Sequence, residues 1–261
     1  MGALSSLLLG SLSLRPYVFG FLGIYLAVAV AEWGWRRALG FTALAGGLAF
    51  LAEWTSTRVG VPFGIYHYTG ATAGREVYLD NVPLFDPLSF PFLAYSSLGL
   101  ARGILRRVGS ESPILVSLTT GGLMMGLDLV IDPLAVRGDR WFLGRIFYYP
   151  EPGRYFGVPL SNFAGWAALG TAIAAAWILG VQPRVGAPPD RRGARGRSPA
   201  FLSGVLYYVI LAFNLTVTAL VAEPRLFWTG VVLHLPLGAV VLWALYPRPR
   251  AAEETLAVGP A

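Results

Sequence analysis

The sequence predicts an all-α membrane protein, a polytopic bundle of about seven transmembrane helices. Hydrophobic residues make up 55% of its 261 residues and charged residues only 13%, and the mean hydropathy is +0.59. That charged share is about half of what a soluble domain usually carries. The apolar residues are also grouped in runs long enough to cross a bilayer, with short charged stretches between them.

These runs place the spans within a single transmembrane domain, residues 1–246, followed by a tail at 247–261 that is expected to be disordered. The first apolar run, residues 1–14, is interrupted by Arg15 and Pro16. It is expected to lie at the membrane interface or to extend the first span. The predicted spans lie near residues 17–34, 37–54, 84–101, 113–131, 161–181, 200–222 and 226–246.

The arginines predict how the bundle is oriented. With the N-terminus outside and the C-terminus inside, the inner segments hold 12 of the 20 basic residues and only five acids. The outer segments then hold 8 basic residues and 9 acids. Because positive charge is retained on the cytoplasmic side, this bias favours an N-out, C-in protein in a bacterial or archaeal cell membrane.

Several protein classes are excluded by residues that the chain lacks or holds in small number. There is no cysteine, which excludes disulfides, thiolate catalysis and cysteine metal sites. All 20 basic residues are arginine, so no lysine can form the Schiff base of a retinal protein. The arginines sit at helix ends, which argues against nucleic acid, and two histidines are too few to predict a metal site.

The strongest chemical motif is the pair Asp128 and Asp132, which precedes Pro133 at the end of the fourth predicted span. A spacing of four residues puts both carboxylates on one helix face. In a low dielectric two such groups cannot both ionise cheaply, so we expect a protonated acid beside an ionised base. Alternatively, Asp132 ends the helix at Pro133 or pairs with Arg137 or Arg140.

Two further acids lie at the same predicted membrane face. Glu53 ends the second span and is a third catalytic candidate, although pairing with Arg58 would explain it equally well. Asp86 either lines the mouth of the third span or caps its first turn, and capping is the favoured interpretation. No cofactor is expected.

Aromatic and polar side chains complete the predicted site. The outer stretches 55–83 and 132–160 are rich in Tyr, Trp, Phe, Gly and Pro, and we expect them to fold over the site as a lid. An aromatic belt or a helix-to-helix hydrogen bond would explain several of the polar candidates without function. The residues predicted to bind substrate, besides Asp86, are Tyr66, His67, Tyr68, Asn162, Trp166, Asn214 and His234.

Three segments carry a resemblance to a known family: 61–68 (VPFGIYHY), 128–133 (DLVIDP) and 155–166 (YFGVPLSNFAGW). They resemble the membrane carotenoid biosynthesis family, which includes the carotenoid 1,2-hydratases acting on bisanhydrobacterioruberin and on γ-carotene or lycopene. The similarity covers about residues 45–240. It implies a lyase without a redox cofactor that adds water to the terminal C1=C2 bond of an acyclic carotenoid, a step that a glycosyltransferase often follows.

The residues suggest a mechanism for such a reaction. Asp128 or Asp132 protonates the alkene, and the tertiary cation rests against rings such as Tyr66, Tyr68 or Trp166. The second carboxylate, or Glu53 with Asn162, deprotonates the incoming water. General acid–base assistance of this kind contributes about 10²–10⁴-fold.

Two other functions stay open on the sequence. An intramembrane prenyltransferase would use an Asp-rich motif to hold diphosphate through Mg²⁺, and a carotenoid cyclase would share the protonation step. A non-enzymatic transporter or lipid-binding protein would use the buried polar residues as a route across the membrane. A lipid-soluble substrate and membrane lipids are the expected partners in each case.

Overall fold

A computed structural model describes residues 2–181 and 199–245 of the chain. Its eight described α-helices are joined by short loops, except that longer segments follow α3 and α5 and that residues 182–198, after α6, lie outside the described part of the chain. The predicted tail at 247–261 lies outside the described residues. The helices are α1 (Ala3–Leu14), α2 (Pro16–Trp33), α3 (Trp35–Val59), α4 (Phe90–Arg107), α5 (Pro113–Ala135), α6 (Leu160–Ala175, continued by a π-helix, Ala176–Val181), α7 (Pro199–Leu220) and α8 (Pro224–Leu245).

The predicted polytopic helical bundle is confirmed. Within the described residues, six helical segments are long and apolar enough to cross a membrane, and a helix lies at each of the seven predicted spans. The N-out, C-in orientation stays a prediction. The six segments are Pro16–Trp33, Trp35–Val59, Pro113–Ala135, Leu160–Val181, Phe201–Leu220 and Pro224–Ala244.

The third predicted span, 84–101, was placed too early in the chain. Residues 84–89 form turns, in which the amide of Asp86 donates to Pro83 and that of Ser89 donates to Asp86. The helix α4 therefore starts only at Phe90 and ends in a stretch with three arginines. This is why α4 is not among the six most apolar segments.

The helix α4 lies at the centre of the bundle and contacts α2, α3, α5, α6, α7 and α8. Its first three turns are almost entirely buried, including Ser96 and Ser97. Gly99 allows α7 to approach closely, because a Cβ atom at this position would lie 2.0 Å from Oγ of Ser203. A helix surrounded by protein rather than lipid does not need a strongly apolar surface, which explains why sequence hydropathy located it poorly.

The two long segments after α3 and α5 meet above one end of the bundle. Strand β1 (His67–Tyr68) pairs antiparallel with β4 (Phe147–Tyr148), while β2 (Tyr78–Leu79) pairs with β3 (Val82–Pro83). The predicted aromatic loops 55–83 and 132–160 thus form one layer, which we call the roof. It lies over the ends of the helices that carry the acidic residues.

The first apolar run forms a separate helix, α1, that is attached to the roof. The hydroxyl of Ser11 accepts a hydrogen bond from the amide of Val77 at 2.9 Å. Gly10 contacts the backbone at Arg75 so closely that no larger residue would fit. Four leucines of α1 are exposed, which fits the expected place at the membrane interface: Leu4, Leu8, Leu9 and Leu12.

Candidate functional site

A cavity lies between the roof and the helix ends beneath it. Its empty space, including the open mouth, is about 890 Å³. Most of its lining is apolar and aromatic, and the polar groups that face it are few, as is typical of small-molecule sites. Those polar groups include five residues predicted from the sequence: Glu53, Asp86, Asp132, Asn162 and Asn214.

The side chain of Asn162 links the two aspartates of α5. Its amide nitrogen donates to Oδ2 of Asp128 at 2.7 Å and to Oδ2 of Asp132 at 2.8 Å. Asp128 is completely buried and Asn162 is 1% exposed. The predicted pairing of Asp128 and Asp132 on one helix face is therefore realised, and the amide of Asn162 holds both carboxyl groups in place.

Close packing of α5 against α6 brings Asn162 to the aspartates. A Cβ atom at Gly121 would lie 2.2 Å from the carbonyl oxygen of Ala167, and one at Gly170 would lie 2.8 Å from Sδ of Met124. Because neither helix carries a side chain at these points, the backbones approach closely. Asn162, in the first turn of α6, then lies opposite the last turns of α5.

The two aspartates differ in their access to the cavity. Asp132 lines it, whereas Asp128 lies one turn deeper, and the second oxygen of Asp128 has no hydrogen-bond partner among the described residues. Trp166 lines the cavity beside Asp132 and stacks on Phe90, with ring centroids 4.5 Å apart. Asp132 is therefore the carboxyl group that a bound molecule would meet.

The alternative in which Asp132 pairs with a loop arginine is wrong. Arg137 and Arg140 instead form ion pairs with Glu223 at the start of α8, and the contact from Nε of Arg137 is 3.0 Å long. These two charges lower the pKa of Glu223, although burial opposes them. Among the described residues, the two aspartates of α5 therefore have no cationic partner.

A second acidic pair, Glu53 and Asp86, is joined by a tyrosine. The hydroxyl of Tyr68 lies 2.6 Å from Oδ2 of Asp86 and 3.1 Å from Oε2 of Glu53. Pairing of Glu53 with Arg58 is wrong, because Arg58 binds Asp80. Capping by Asp86 is also wrong, since no side chain caps α4, whose N-cap residue is Ser89.

The pKa of Asp86 reflects its buried position beneath the roof. Burial raises the pKa of Asp86 to about 6, while the hydrogen bond from Tyr68 and the charge of Arg15 oppose that rise. Burial also raises the pKa of Tyr68 well above its usual value, with further contributions from Asp86 and Glu53. Tyr68 therefore stays protonated, and its hydroxyl can donate its one hydrogen to Asp86, the nearer of the two acids.

The roof supplies an aromatic wall opposite the aspartates. Tyr66, predicted from the sequence, packs edge-on against Phe147 and Tyr149 at centroid distances of 5.6 and 5.9 Å. Its hydroxyl also lies 3.4 Å from that of Tyr68. Sequence reasoning did not single out Phe147 and Tyr149, although the aromatic density of the loop 132–160 was the signal for them.

Three residues predicted to bind substrate do not contact the acids. Two of them lie away from the cavity, and the third forms its hydrogen bond within its own helix. His67 is exposed on the outer side of β1, next to Tyr148. His234 is buried in α8, where its Nδ1 pairs with the carbonyl of Gly230, and it does not line the cavity. Asn214 lines the cavity, but its amide donates to Ile210 of its own helix. Nothing in the described structure brings His67 or His234 to the acids.

Sequence reasoning missed the role of Arg15. Its guanidinium is buried, forms an ion pair with Glu76 at 3.1 Å and donates to the carbonyl of Leu143 at 2.6 Å. It also lies over the ring of Phe85. Arg15 thereby ties the start of α2 to both halves of the roof, and no local pattern in the sequence indicates these distant partners.

Within the described residues, no three His, Asp or Glu side chains are arranged so that they could hold a metal ion. The polar groups converge instead as two hydrogen-bonded acidic pairs. Asp128 and Asp132 are joined by an amide, and Glu53 and Asp86 by a phenol. Such an arrangement can hold and transfer protons next to an apolar space.

Comparisons with known proteins agree with the motifs. The family described as "Carotenoid biosynthesis protein" matches residues 14–241. The bisanhydrobacterioruberin hydratase of Haloarcula japonica is 29% identical over 196 residues, which cover 73% of this chain. The match spans only 58% of that relative's length. No solved structure matches the chain.

Proposed function

The chain belongs to the family of carotenoid biosynthesis proteins, and on that premise we propose that it is a carotenoid hydratase. It adds water across the terminal C1=C2 bond of an acyclic carotenoid end group and forms a tertiary alcohol. A relative bearing the name of a hydratase supports this reaction class. The observation that carries the proposal is the pair of aspartates, bridged by Asn162, at the base of an aromatic cavity.

The first step is protonation of the alkene by Asp132. The acidic hydrogen moves to C2, the C1=C2 π bond breaks, and a tertiary cation forms at C1. Asp132 fits this role because it faces the cavity, while Asp128 lies behind it. A proton shared between the two carboxyl groups would also give the unpartnered oxygen of Asp128 a hydrogen bond.

The site favours a protonated aspartate for a physical reason. Asp128 and Asp132 accept from the same amide, and no arginine pairs with either of them among the described residues. Two uncompensated negative charges are expensive in a buried site, so retaining one proton is cheaper than ionising both groups. The low dielectric of the bilayer around the site therefore favours the protonated aspartate that the first step needs.

The second step is capture of the cation by water. Water forms a bond to C1 and loses a proton to the ionised member of the pair Glu53 and Asp86, both of which line the same cavity, and the proton returns to Asp132 through water in the cavity. The faces of Tyr66 and Trp166 and the negative charge of that pair stabilise the cation before capture. General acid–base assistance of this kind contributes about 10²–10⁴-fold.

Expression in a host that accumulates lycopene tests the proposal. We expect products that have gained one water per reacted end, seen by mass spectrometry of the extracted carotenoids. Asp80→Asn is a matched control, because Asp80 is an exposed carboxylate bound to Arg58 outside the cavity.

The same experiment separates the rival functions. A product of unchanged mass with a ring would identify a cyclase. A heavier prenylated product that requires Mg²⁺ and a diphosphate donor would identify a prenyltransferase. Unchanged carotenoid in membranes that contain the folded protein would contradict enzymatic hydration and favour transport or binding.

The hydrophobic helices and the proposed substrate also indicate where in the cell the protein lies. It is a multi-pass membrane protein, and we infer that it lies in the cytoplasmic membrane of a bacterium or archaeon, where its lipid-soluble substrate dissolves. The tertiary alcohol that it forms is the kind of group to which a glycosyltransferase attaches a sugar. Such an enzyme is a fitting partner for the next step.

A further inference from the structure

The cavity extends from the acids to a seam between α2 and α7. Its lining there comes from Tyr17, Val18 and Phe21 of α2 and from Ile210 and Phe213 of α7. The helix α2 packs along α3 but meets α7 only over a short stretch. Side chains, rather than closely packed backbones, therefore close the bundle at this point.

Aromatic rings make up most of this closure. Tyr17 and Phe213 are stacked, with centroids 5.3 Å apart and planes 18° apart. Phe21 meets Phe213 edge-on at 5.6 Å, and Trp141 of the roof lies 6.0 Å from Tyr17. Tyr17 and Phe213 are only partly buried, and the exposed ring of Phe142 packs edge-on against Tyr17 at 5.6 Å, so aromatic side chains alone separate the cavity from the surroundings at this point.

The surface outside this wall is apolar. Val205 and Val209 of α7 and Ile24 of α2 are exposed large hydrophobic residues on helices that can cross a membrane. The other boundaries of the cavity are less suitable as a way out for a hydrocarbon. The roof above is tied by backbone pairing and by Arg15, and the core helix α4 lies below.

A carotenoid end group cannot lie in the cavity without the rest of its chain. The polyene is a stiff apolar rod much longer than the cavity, so it must leave through an apolar opening that faces lipid. We propose, on the basis of the proposed function, that the seam between α2 and α7 is a polyene-binding subsite and the lateral passage from the bilayer to Asp132. Tyr17 and Phe213 separate to admit the rod and then pack against its faces.

Cysteine protection tests the subsite without requiring catalysis. The chain has no cysteine, so Phe213→Cys provides a single thiol, and an added Asp132→Asn substitution prevents turnover. We expect lycopene in detergent micelles to slow maleimide labelling of this thiol markedly. Leu118→Cys is the matched control, because it is exposed on α5, a membrane-spanning helix outside the seam, and its labelling should not change.

Equal labelling of the thiol at position 213 with and without lycopene would overturn the subsite. Equal slowing at both positions would overturn it as well, because it would indicate general partitioning of the polyene around the protein. Circular dichroism of each variant confirms that the helices are retained. This assay does not depend on hydration, so its outcome is separate from that of the proposed function.

A seam-filling variant tests the passage itself. Val18→Trp narrows the cavity on the α2 side. We expect turnover of lycopene to fall about tenfold or more, because the end group is held out of place. A short acyclic hydrocarbon with the same terminal double bond should still be hydrated, since it fits within the cavity. Equal loss for both substrates would overturn the passage, and no turnover of either by the unmodified protein would overturn the proposed function instead.

Discussion

Two buried glutamates at opposite ends of the bundle make similar contacts but have different surroundings. Glu32, near the end of α2, accepts from the hydroxyl of Tyr95 at 2.6 Å, and Glu53 accepts from Tyr68 at 3.1 Å. The tyrosine at the Glu32 end is packed tightly, with Trp33 at 4.9 Å and Tyr25 at 5.1 Å. Glu53 faces a cavity that it shares with Asp86 and Asp132.

The two glutamates differ in what lies beside the glutamate–tyrosine contact, and this difference separates a candidate active site from a buried polar pair. A glutamate–tyrosine contact by itself joins helices and satisfies a buried charge. It becomes chemically useful where a second acid and an accessible apolar space lie beside it. Glu32 therefore has a structural role, and the acids beneath the roof form the candidate site.

The largest effect is expected from Asp132→Asn. The variant cannot donate the acidic proton, so hydration should fall by about 10²–10⁴-fold, while Asp80→Asn keeps its activity. Product analysis after expression in a lycopene-accumulating host measures this. Full hydration by Asp132→Asn, with loss in Asp128→Asn instead, would move the acid to the deeper residue. Full hydration by both variants would remove the pair from the mechanism.

A smaller loss is expected from Asn162→Leu. It leaves both aspartates without their shared donor, at a cost of about 1–3 kcal/mol, and so lowers the rate by about ten- to a hundredfold. Asn162→Gln can still donate and should recover part of the activity. Equal rates for the two variants would show that Asn162 contributes to packing and that its hydrogen bonds do not affect the reaction.

A shift in pH dependence is expected from Tyr68→Phe. Burial raises the pKa of Asp86 to about 6, so its negative charge is present above that pH and is lost as the pH falls through it. Activity should therefore decline below about pH 6. The hydrogen bond from Tyr68 favours the charged form of Asp86, so its removal raises the pKa further and moves the decline to higher pH. An unchanged midpoint in a pH–rate profile would separate Asp86 from the reaction.

The smallest effect on activity is expected from Glu32→Gln at the opposite end. The amide oxygen still accepts from Tyr95, so the fold is retained with a stability loss of about 1 kcal/mol. Hydration per folded molecule should equal that of the unmodified protein. A loss comparable with that of Asp132→Asn would show that the two ends of the bundle are coupled and that the role of Glu32 is not only structural.

The helical membrane bundle and the pairing of the two aspartates on α5 could be predicted from local sequence patterns. The spans follow from the length of the apolar runs, and the placement of Asp128 and Asp132 on one face follows from helical periodicity. The aromatic roof was indicated by composition alone. These features are local, because each depends on residues that are close together in the chain.

The hydrogen-bond and ion-pair partners of these residues could be found only from the folded structure. Asn162 lies 30 residues beyond Asp132, and Leu143 lies 128 residues beyond Arg15, and no local pattern relates either pair. The same applies to Asp86, which looked like a helix cap, and to His67, which looked like a site residue. Side chains on neighbouring turns are positioned by backbone geometry, whereas contacts between segments depend on how helices pack and loops pair.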